Sequence, residues 1–307
     1  MTGVGIHSTI GSRVRGHRIL RGAATPARWA LRALRRYRDQ SGRDVLARLA
    51  TCADEVIVAS KSFQGRFAIS PKSVLFEYVL FDSYEPSIAR MFQRVAESWG
   101  GDIVDVGANI GLYTVLAAKS SSSAKVLAIE PTEQALRRLK ENISLNGVGD
   151  SVLVFEGVAS DREGECQVQV SEGREEFSTM GELRIPGSLE VSTTTRTAPA
   201  TTLDSLVRLH GLRPKLIKVD VEGAEELVFT GAETTIRDFR PIIFSELSDL
   251  VLEPMGSSAE RVIDRLSGWG YDVRDAKDLQ HAPRRGWFEG DIIAAPREIG
   301  ISKALGI

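Results

Sequence analysis

The sequence predicts an α/β fold, in which a mostly parallel sheet is covered by helices on both faces. Apolar strands alternate with helical segments through residues 102–158, and the alternation resumes through 202–295. This alternation is typical of a parallel sheet, because a crossover helix joins each strand to the next. Residues 102–111, DIVDVGANIG, read as a short apolar strand and a glycine turn, and the helical run LYTVLAAK follows directly. A chain of 307 residues can hold one large α/β domain and an appendage.

The elements follow in order along the chain. Ahead of the core, residues 62–82 alternate enough to predict a short β-hairpin, and a helix is predicted over 86–99. The core then begins with strand 102–106, helix 111–119, strand 125–130, helix 133–145 and strand 152–158. It resumes with helix 202–209, strand 215–221, helix 224–238, strand 241–247, helix 258–269 and a hairpin of strands 271–275 and 290–295.

Between the third and fourth core strands, residues 161–201 break the alternation. Gly, Ser, Thr and Glu dominate this stretch, with a brief alternation at Cys166, Val168 and Val170. A structureless loop of this length is uncommon inside a compact domain. The stretch is therefore predicted to be an antiparallel β excursion from the core.

The composition argues against several classes of protein. With 42% hydrophobic and 26% charged residues, the chain is expected to be globular. A net charge of −2 argues against a nucleic-acid partner. Cys52 and Cys166 form neither a metal motif nor a disulfide framework, which favours a cytoplasmic location. No apolar run reaches the ~18 residues of a membrane-spanning helix.

The first 38 residues contain nine Arg, no Lys and no acidic residue. One interpretation is a basic amphipathic helix over 28–38 that makes peripheral contact with anionic membrane lipid. The other, which we favour, is a mobile tail in a chain that uses Arg in preference to Lys throughout. We therefore predict a basic tail over 1–40, an N-terminal helix and hairpin extension over 41–100, and the main α/β domain over 101–300.

The glycine turn at 107–111 predicts a ligand site. A strand, a glycine turn and a helix N-terminus together present backbone N–H groups to a charged ligand. The spacing G-x-x-x-G differs from the G-x-G-x-x-G of dinucleotide sites and from the G-x-x-x-x-G-K-[ST] of phosphate-binding loops. Asp105, just before Gly107, suits an ammonium group or ribose hydroxyls better than a bare phosphate.

The next strand, KVLAIEP, ends in a second acidic residue, Glu130. An acid that closes the second strand of a βαβ unit, about 20 residues past the turn, typically accepts hydrogen bonds from ribose hydroxyls. Together, Asp105, the glycine turn and Glu130 predict a nucleoside-binding site.

The strand 216–223, LIKVDVEG, concentrates charge at one end of the sheet. The two-residue period of a strand puts Lys218, Asp220 and Glu222 on one side. Ligands of open α/β sheets bind beyond the carboxyl ends of the strands, so Asp220 is predicted to face a ligand. Lys218 and Glu222 suit a structural role equally well, as an ion-pair partner and as a helix cap. Glu246 could face the same crevice, but these acids lack the fixed spacing of a metal-ligand set, and no metal is predicted.

Six segments, in order along the chain, resemble the FkbM family of S-adenosylmethionine-dependent methyltransferases: DVGANIGLYT, AIEP, TTLDSL, LIKVDVEGAE, GAETTI and DIIAAP. The resemblance runs from roughly Tyr84 to Pro296, and the combination of DVGAN with KVDVEGAE is specific. It implies the class I methyltransferase fold, which is Rossmann-like with a seven-stranded sheet, and S-adenosyl-L-methionine as the cofactor.

The resemblance also implies a set of cofactor-binding residues. It places Asp105, Gly107 and Gly111 at the methionine end, Asn109, Tyr113 and Thr114 near the methionine carboxylate, Ala159 and Asp161 beside the adenine, and Glu85 within reach of the amine. For Tyr113 and Thr114, packing of the helix on the sheet is an equally good explanation. For Glu85, the favoured alternative is a charge at a helix N-terminus.

These residues predict an O-methyltransferase that acts on a hydroxyl of a sugar, glycolipid or polyketide-type metabolite. The acceptor hydroxyl must be aligned with the methyl group and gains from a base that receives its proton. The candidate catalytic residues are Asp220, Glu222 and Lys218. A nicotinamide-dependent oxidoreductase is an alternative, because Glu130 suits ribose there too, although the turn lacks the middle glycine that admits a pyrophosphate. A non-catalytic nucleoside-binding module is the third possibility.

Overall fold

The computed structural model describes residues 54–171, 178–179 and 193–307. The predicted basic tail and the first part of the predicted extension lie outside these residues. Within the described ranges, no helix combines the length and the apolar character needed to cross a bilayer.

The strands of the described part are β1 (Val56–Ser60), β2 (Gly65–Ile69), β3 (Asp102–Val106), β4 (Val126–Glu130), β5 (Val152–Glu156), β6 (Val158–Ala159), β7 (Gly164–Ser171), β8 (Ser178–Thr179), β9 (Thr193–Thr201), β10 (Pro214–Val219), β11 (Ile242–Ser248), β12 (Tyr271–Asp275) and β13 (Glu289–Pro296). The helices are α1 (Val74–Leu80), α2 (Pro86–Trp99), α3 (Leu112–Ser120), α4 (Glu133–Asn146), α5 (Leu203–His210), α6 (Glu225–Thr230), α7 (Glu233–Phe239), α8 (Asp249–Leu252), α9 (Ala259–Gly268) and α10 (Ile301–Leu305), with 3₁₀ turns at Gly149–Ser151 and Glu253–Met255.

The central sheet has seven strands in the order β12-β13-β11-β10-β3-β4-β5. Only β13 runs against its neighbours β11 and β12, and the other pairs are parallel. Successive residues of β3 enter separate apolar cores, with Ile103 in one and Val104 in the other. The sheet is therefore buried on both faces, and the predicted fold class is confirmed.

The chain reverses its direction of travel across the sheet between β3 and β10. From β3 the chain moves outward to β4 and β5, and it later returns to β10, which pairs with the other side of β3. Open α/β sheets form a ligand crevice at the carboxyl ends of strands that flank such a point. In this register Lys218 of β10 lies directly beside Asp105 of β3.

The N-terminal hairpin lies earlier in the chain than the sequence predicted. β1 and β2 form an antiparallel hairpin over 56–69, whereas the second half of the predicted hairpin is helix α1. The apolar side chains of Leu75, Phe76, Val79 and Leu80 are buried, which is a helical period. Ser73 starts this helix, because its side chain accepts a hydrogen bond from the Leu75 amide.

Two asparagines of α4 attach the hairpin to the main domain. The Asn142 side chain accepts from the Ala68 amide (2.7 Å) and donates to the Ala68 carbonyl (3.3 Å). Asn146 makes the same pair of bonds with Arg66, at 3.0 and 2.7 Å. Asn142 also donates to the Ile110 carbonyl at 2.8 Å, so it connects β2 to the glycine turn.

The stretch between the third and fourth core strands is an antiparallel excursion, as predicted. β7 pairs with β9 along its whole length, and β8 pairs with β7. β6 joins the same small sheet by pairing in parallel with the end of β9. The predicted strand 152–158 accordingly ends at Glu156, and the chain passes from the central sheet into the small one.

The predicted helix 224–238 is two helices, α6 and α7, separated at Gly231. A Cβ atom at Gly231 would overlap the carbonyl oxygen of Ser160. The backbone therefore approaches the excursion more closely than a continuous helix with side chains permits. This contact between distant segments has no signature in the local sequence.

The C-terminal helix α10 was absent from the sequence prediction. It contacts α2, and the Trp99 indole donates to the Ala304 carbonyl at 2.9 Å. Ile301, Ala304 and Leu305 are buried in the core that α2 also fills. The main domain therefore continues beyond residue 300.

Candidate active site

A cavity of about 420 Å³ opens at the carboxyl ends of β3, β4, β10 and β11. The segment between α1 and α2 contributes to its wall. Most of the predicted site residues line it, and these are Glu85, Asp105, Gly107, Asn109, Tyr113, Glu130, Ala159, Lys218, Asp220 and Glu222. The predicted residues thus converge on one cavity at the switch point of the sheet.

The glycine turn between β3 and α3 forms part of the cavity wall. Gly107 has φ +80°, and a Cβ there would overlap the carbonyl oxygen of Asp220. The amides of Gly107 and Ala108 both donate to the Ile129 carbonyl at 3.0 Å. Only glycine allows the turn after β3 to lie against the loop after β10 in this way.

Asp105 is 1% exposed and is one of the residues that line the cavity. Its Oδ2 accepts from the Thr114 hydroxyl at 2.6 Å, while its Oδ1 is buried without a hydrogen-bond partner in the protein. Burial raises the pKa of Asp105, and the nearby Lys218 charge opposes that rise. A buried unpaired oxygen of this kind favours a ligand that brings a donor.

Glu130 is held by three protein donors. Its Oε1 accepts from the amide (2.9 Å) and the hydroxyl (2.7 Å) of Thr132, and its Oε2 accepts from the Asn109 amide at 2.9 Å. A carboxylate has about four acceptor positions, so one stays available to a ligand. Asn109 adopts φ +49°, which directs its amide to Glu130 and bends the turn around the cavity.

A chain of contacts connects β10 to the segment before α2. The Lys218 ammonium binds Asp220 Oδ2 at 2.7 Å and lies 4.6 Å from the centre of the Tyr113 ring. The Tyr113 hydroxyl donates to Glu85 Oε2 at 2.7 Å. Burial by itself would lower the pKa of Lys218, but the surrounding carboxylates, led by Asp220, raise it, so Lys218 stays charged.

Glu222 lies in a turn beyond β10 rather than on the strand. β10 ends at Val219, two residues before the predicted end, and Glu222 has φ +52°. Burial and the charge of Asp220 raise the pKa of Glu222 to about 8. Glu225, which the sequence prediction passed over, supports this turn through bonds of 3.2 Å from the Val221 and Gly223 amides.

β11 and β13 bring two carboxylates close to Glu85, and one of them, Glu246, lines the cavity. Glu246 lies opposite Asp291 in the strand register, and oxygens of Glu85, Glu246 and Asp291 lie within 4.8 Å of one another. The charge of Asp220 is the largest of the influences that raise the pKa of Glu246 to about 9. Burial and the Glu85 charge raise the pKa of Asp291 to about 7. Protonation near neutral pH therefore relieves the repulsion in this group.

Sequence reasoning missed Asp291 and the aromatic wall. Asp291 heads the motif DIIAAP, which was a signal, but its position opposite Glu246 depends on strand register. Tyr78 and Tyr84 also line the cavity, with ring centres 6.3 Å apart. Tyr78 stands in the region that was predicted as a hairpin strand, and Tyr84 follows that region in the segment before α2.

Gly111, Thr114 and Asp161 lie outside the cavity lining. Gly111 begins α3 with φ +88°, and a Cβ there would meet the Leu139 side chain at 2.6 Å. The Thr114 hydroxyl is used by Asp105, so this residue supports a cavity residue instead of facing the cavity. Asp161 accepts from the Ser160 hydroxyl at 3.2 Å.

One antiparallel strand completes an otherwise parallel seven-stranded sheet, which is the sheet that the resemblance to class I methyltransferases implied. A model of the Methyltransferase FkbM domain matches residues 105–273. The chain therefore belongs to the FkbM methyltransferase family, and the predicted family is confirmed.

Other known proteins resemble parts of the chain. The ribosomal protein L11 methyltransferase of Acetivibrio thermocellus is 41% identical over 66 residues, which are 22% of this chain and 20% of that protein. The one from Desulforamulus reducens is 38% identical over 63 residues, 20% of each protein. The chain thus spans about a fifth of the length of the curated relatives it matches.

Two solved structures are similar over more of the chain at low identity. The FkbM methyltransferase of Methylobacillus flagellatus is 14% identical, with 83% of this chain and 59% of that chain covered and a TM-score of 0.41. The O-methyltransferase of Bacillus cereus, solved in complex with SAH, is 16% identical, with 69% and 82% covered and a TM-score of 0.43.

Proposed function

We propose that this protein transfers a methyl group from S-adenosylmethionine to a hydroxyl of a sugar, glycolipid or polyketide-type metabolite. One observation carries the proposal. Three carboxylates line the same cavity. Asp105 and Glu130 lie at the ends of the adjacent strands β3 and β4, and Asp220 follows β10 on the other side of the switch point. The first pair suits the ammonium and ribose of the cofactor, and the third suits a reacting hydroxyl.

The residues of the cavity fit this cofactor. Glu130 has one acceptor position left for a ribose hydroxyl, and the free Oδ1 of Asp105 suits an ammonium group. The N–H groups of the first turn of α3 suit a carboxylate. Ala159 and its neighbour Val158 offer apolar surface for an adenine ring. When bound, the cofactor supplies an electrophilic methyl group on a positively charged sulfur.

Asp220 is the group that orients the acceptor hydroxyl and receives its proton. Its Oδ2 is paired with the Lys218 ammonium at 2.7 Å, which fixes the carboxylate at the edge of the cavity. Lys218 is buried and stays charged, so it acts as the ion-pair partner of Asp220 rather than as a base. Glu222 lies beside this pair, and its raised pKa suits it to hold a proton near neutral pH.

The cluster of carboxylates around Glu85 favours an acceptor rich in hydroxyls. The oxygens of Glu85, Glu246 and Asp291 can accept hydrogen bonds from several hydroxyls at once. Tyr78 is 47% exposed at the same cavity and offers an apolar ring face. Among the three acceptor classes, this combination supports a sugar or a sugar-bearing conjugate. A cytoplasmic location and lipid contact through residues 1–38 stay predictions, and we propose no nucleic-acid partner.

The test is a thermal-shift comparison of S-adenosylhomocysteine with NAD. A ligand that binds only the folded state raises the melting temperature by mass action, so S-adenosylhomocysteine should stabilise the protein and NAD should not. Glu130→Ala should lower the affinity for S-adenosylhomocysteine about tenfold, because the ribose hydroxyls lose a charged hydrogen-bond acceptor. Glu156→Ala is the control, since Glu156 ends the next strand in the same register but binds Lys140 at the surface. Stabilisation by NAD alone would overturn the proposal.

A further inference from the structure

We infer that Tyr113 is a positioning residue for the cofactor site, because its hydroxyl fixes the carboxylate of Glu85 in the cavity. The inference rests on the proposed function, and it changes the role that the family resemblance implied for Tyr113. A hydroxyl that is committed to Glu85 is not the group that meets the cofactor carboxylate.

The backbone of Glu85 is held in a costly conformation. Its φ and ψ are +37° and +47°, in the left-handed region, which is unfavourable for a residue other than glycine. Glu85 occupies the N-cap position of α2, yet its side chain makes no capping hydrogen bond. Such strain persists where the surrounding structure holds a residue for a purpose other than local stability. Here the conformation places the carboxylate in the wall of the cavity.

The Tyr113 ring is fixed from three directions. Phe63 and Phe92 each make an edge-to-face contact with it, with ring centres 5.1 Å apart. The Lys218 ammonium lies over its face at 4.6 Å. Tyr113 is itself 4% exposed. The position of its hydroxyl is therefore set by packing and does not depend on Glu85.

The hydrogen bond between them selects one orientation of a flexible side chain. Tyr113 donates to Oε2 of Glu85 at 2.7 Å. Burial and the Glu85 charge raise the pKa of Tyr113 well above its ordinary value, so the hydroxyl keeps its proton and acts as a donor. With Oε2 occupied, Oε1 of Glu85 is the acceptor left for the ammonium group of the cofactor.

The experiment compares two ligands on one variant. S-Adenosylhomocysteine carries the ammonium group, whereas 5′-methylthioadenosine has the same nucleoside and no amino-acid part. Tyr113→Phe keeps the ring and removes the hydroxyl. It should raise the dissociation constant of S-adenosylhomocysteine about tenfold, because a hydrogen bond to a charged group is lost. The dissociation constant of 5′-methylthioadenosine should not change. Titration calorimetry gives both dissociation constants.

A double-mutant cycle tests whether the effect runs through Glu85. Glu85→Gln should lower the affinity for S-adenosylhomocysteine to a similar degree. Adding Tyr113→Phe to that variant should lower the affinity little further. Tyr271→Phe is the matched control. Tyr271 is also buried, donates to the Ile236 carbonyl at 3.3 Å and lies under a cation, Arg240, at 4.7 Å, but it stands on β12 away from the cavity. That variant should lose stability and keep both affinities.

Four outcomes separate the possibilities. Equal weakening of both ligands by Tyr113→Phe, or additive losses in the double mutant, would overturn the inference and leave the proposed cofactor standing. Unchanged S-adenosylhomocysteine affinity in a folded Tyr113→Phe variant would do the same. If the wild-type protein binds neither nucleoside, it is the proposed function that fails.

Discussion

At the end of the cavity formed by β3 and β4, hydrogen bonds from residues nearby in the sequence fix each carboxylate. Asp105 accepts from Thr114, nine residues later, and Glu130 accepts from Thr132, two residues later. The more distant Asn109 amide belongs to the same βαβ unit. This end has the properties of a preformed binding surface, since its acids keep their geometry without a ligand.

At the end formed by β10, β11 and β13, the carboxylates face one another across separate elements. Glu246 lies opposite Asp291, and the charge of Asp220 has the largest influence on the pKa of Glu246. Burial and these mutual charges raise the pKa values of Glu222, Glu246 and Asp291 to about 8, 9 and 7. The protonation of this end therefore changes within the range of ordinary working pH.

The contrast is between acids that local hydrogen bonds hold in place and acids whose raised pKa values neighbouring carboxylates help to set. A cofactor that is identical in every reaction cycle is best bound by acids whose positions are fixed. An acceptor that loses a proton is best served by acids that can exchange protons near neutral pH. Variants that alter one end and spare the other can test this division.

Gly107→Ala should have the largest effect, because it disturbs the contact between the two ends. Its φ of +80° disfavours alanine, and the new Cβ would overlap the Asp220 carbonyl oxygen. We expect S-adenosylhomocysteine binding to be lost and the free energy of unfolding to fall by about 1–3 kcal/mol. Calorimetry and chemical denaturation measure the two effects.

Gly147→Ala is the control for that experiment. Gly147 has φ +68°, but nothing lies within 4 Å of a Cβ there. The strain of the backbone should cost about 1 kcal/mol and leave ligand affinity intact. Wild-type affinity in the Gly107→Ala variant would show that the two ends tolerate separation.

Asp220→Asn should affect the acceptor end alone. Loss of a general base typically lowers the rate about 10²–10⁴-fold, so turnover at saturating cofactor should fall in that range while cofactor affinity changes little. Turnover is measured as transfer of a labelled methyl group from S-adenosylmethionine to a panel of sugars and glycosides. Asp238→Asn, an exposed residue of α7, serves as the control.

Two other results would reassign Asp220. A raised dissociation constant with intact saturated turnover would place it in the cofactor site. Lower stability with normal kinetics would mean that it only neutralises Lys218.

Glu246→Gln should have the smallest effect, visible in the pH dependence of stability. The folded pKa of about 9 lies above the ordinary value of 4.5. Between these values the folded state binds more protons than the unfolded state, so this residue lowers stability as the pH rises towards 9. The variant should melt about 2–4 °C above the wild type at pH 9 and equally at pH 4. Glu246 is exposed, so solvent screening keeps this effect modest.

The matched variant for this comparison is Glu289→Gln, an exposed residue at the start of β13. It should show the same melting curve as the wild type across the pH range. A Glu246→Gln variant that behaves the same way would contradict the view that this end of the cavity is titratable.

The sequence predicted which acids line the cavity at the ends of β3 and β4, because the information for that end is local. A strand that ends in an acid and turns through glycine at once identifies Asp105, and the next strand identifies Glu130. The partners of the other end depend on tertiary structure. The position of Asp291 opposite Glu246 needs the register of an antiparallel strand, and the Tyr113–Glu85 bond joins residues 28 positions apart.

The same reasoning explains the errors in the fold. The break between α6 and α7 follows from the approach of Gly231 to a carbonyl of the excursion, which only the packed structure contains. The misplaced hairpin is different, because its cause was present in the sequence. The serine at 73 and the spacing of the apolar residues after it favour a helix, and a two-residue alternation was preferred instead.

The attachment of β2 has a consequence for self-association. β1 covers one edge of β2, and Asn142 and Asn146 occupy the N–H and C=O groups of Ala68 and Arg66 on the other edge. An open strand edge is a template on which another chain can add a strand, and such addition begins domain swapping and fibril growth. The Asn142 and Asn146 side chains occupy these backbone groups of β2, so another strand cannot pair with them. The hairpin is thereby protected from aggregation along that edge for as long as α4 stays folded.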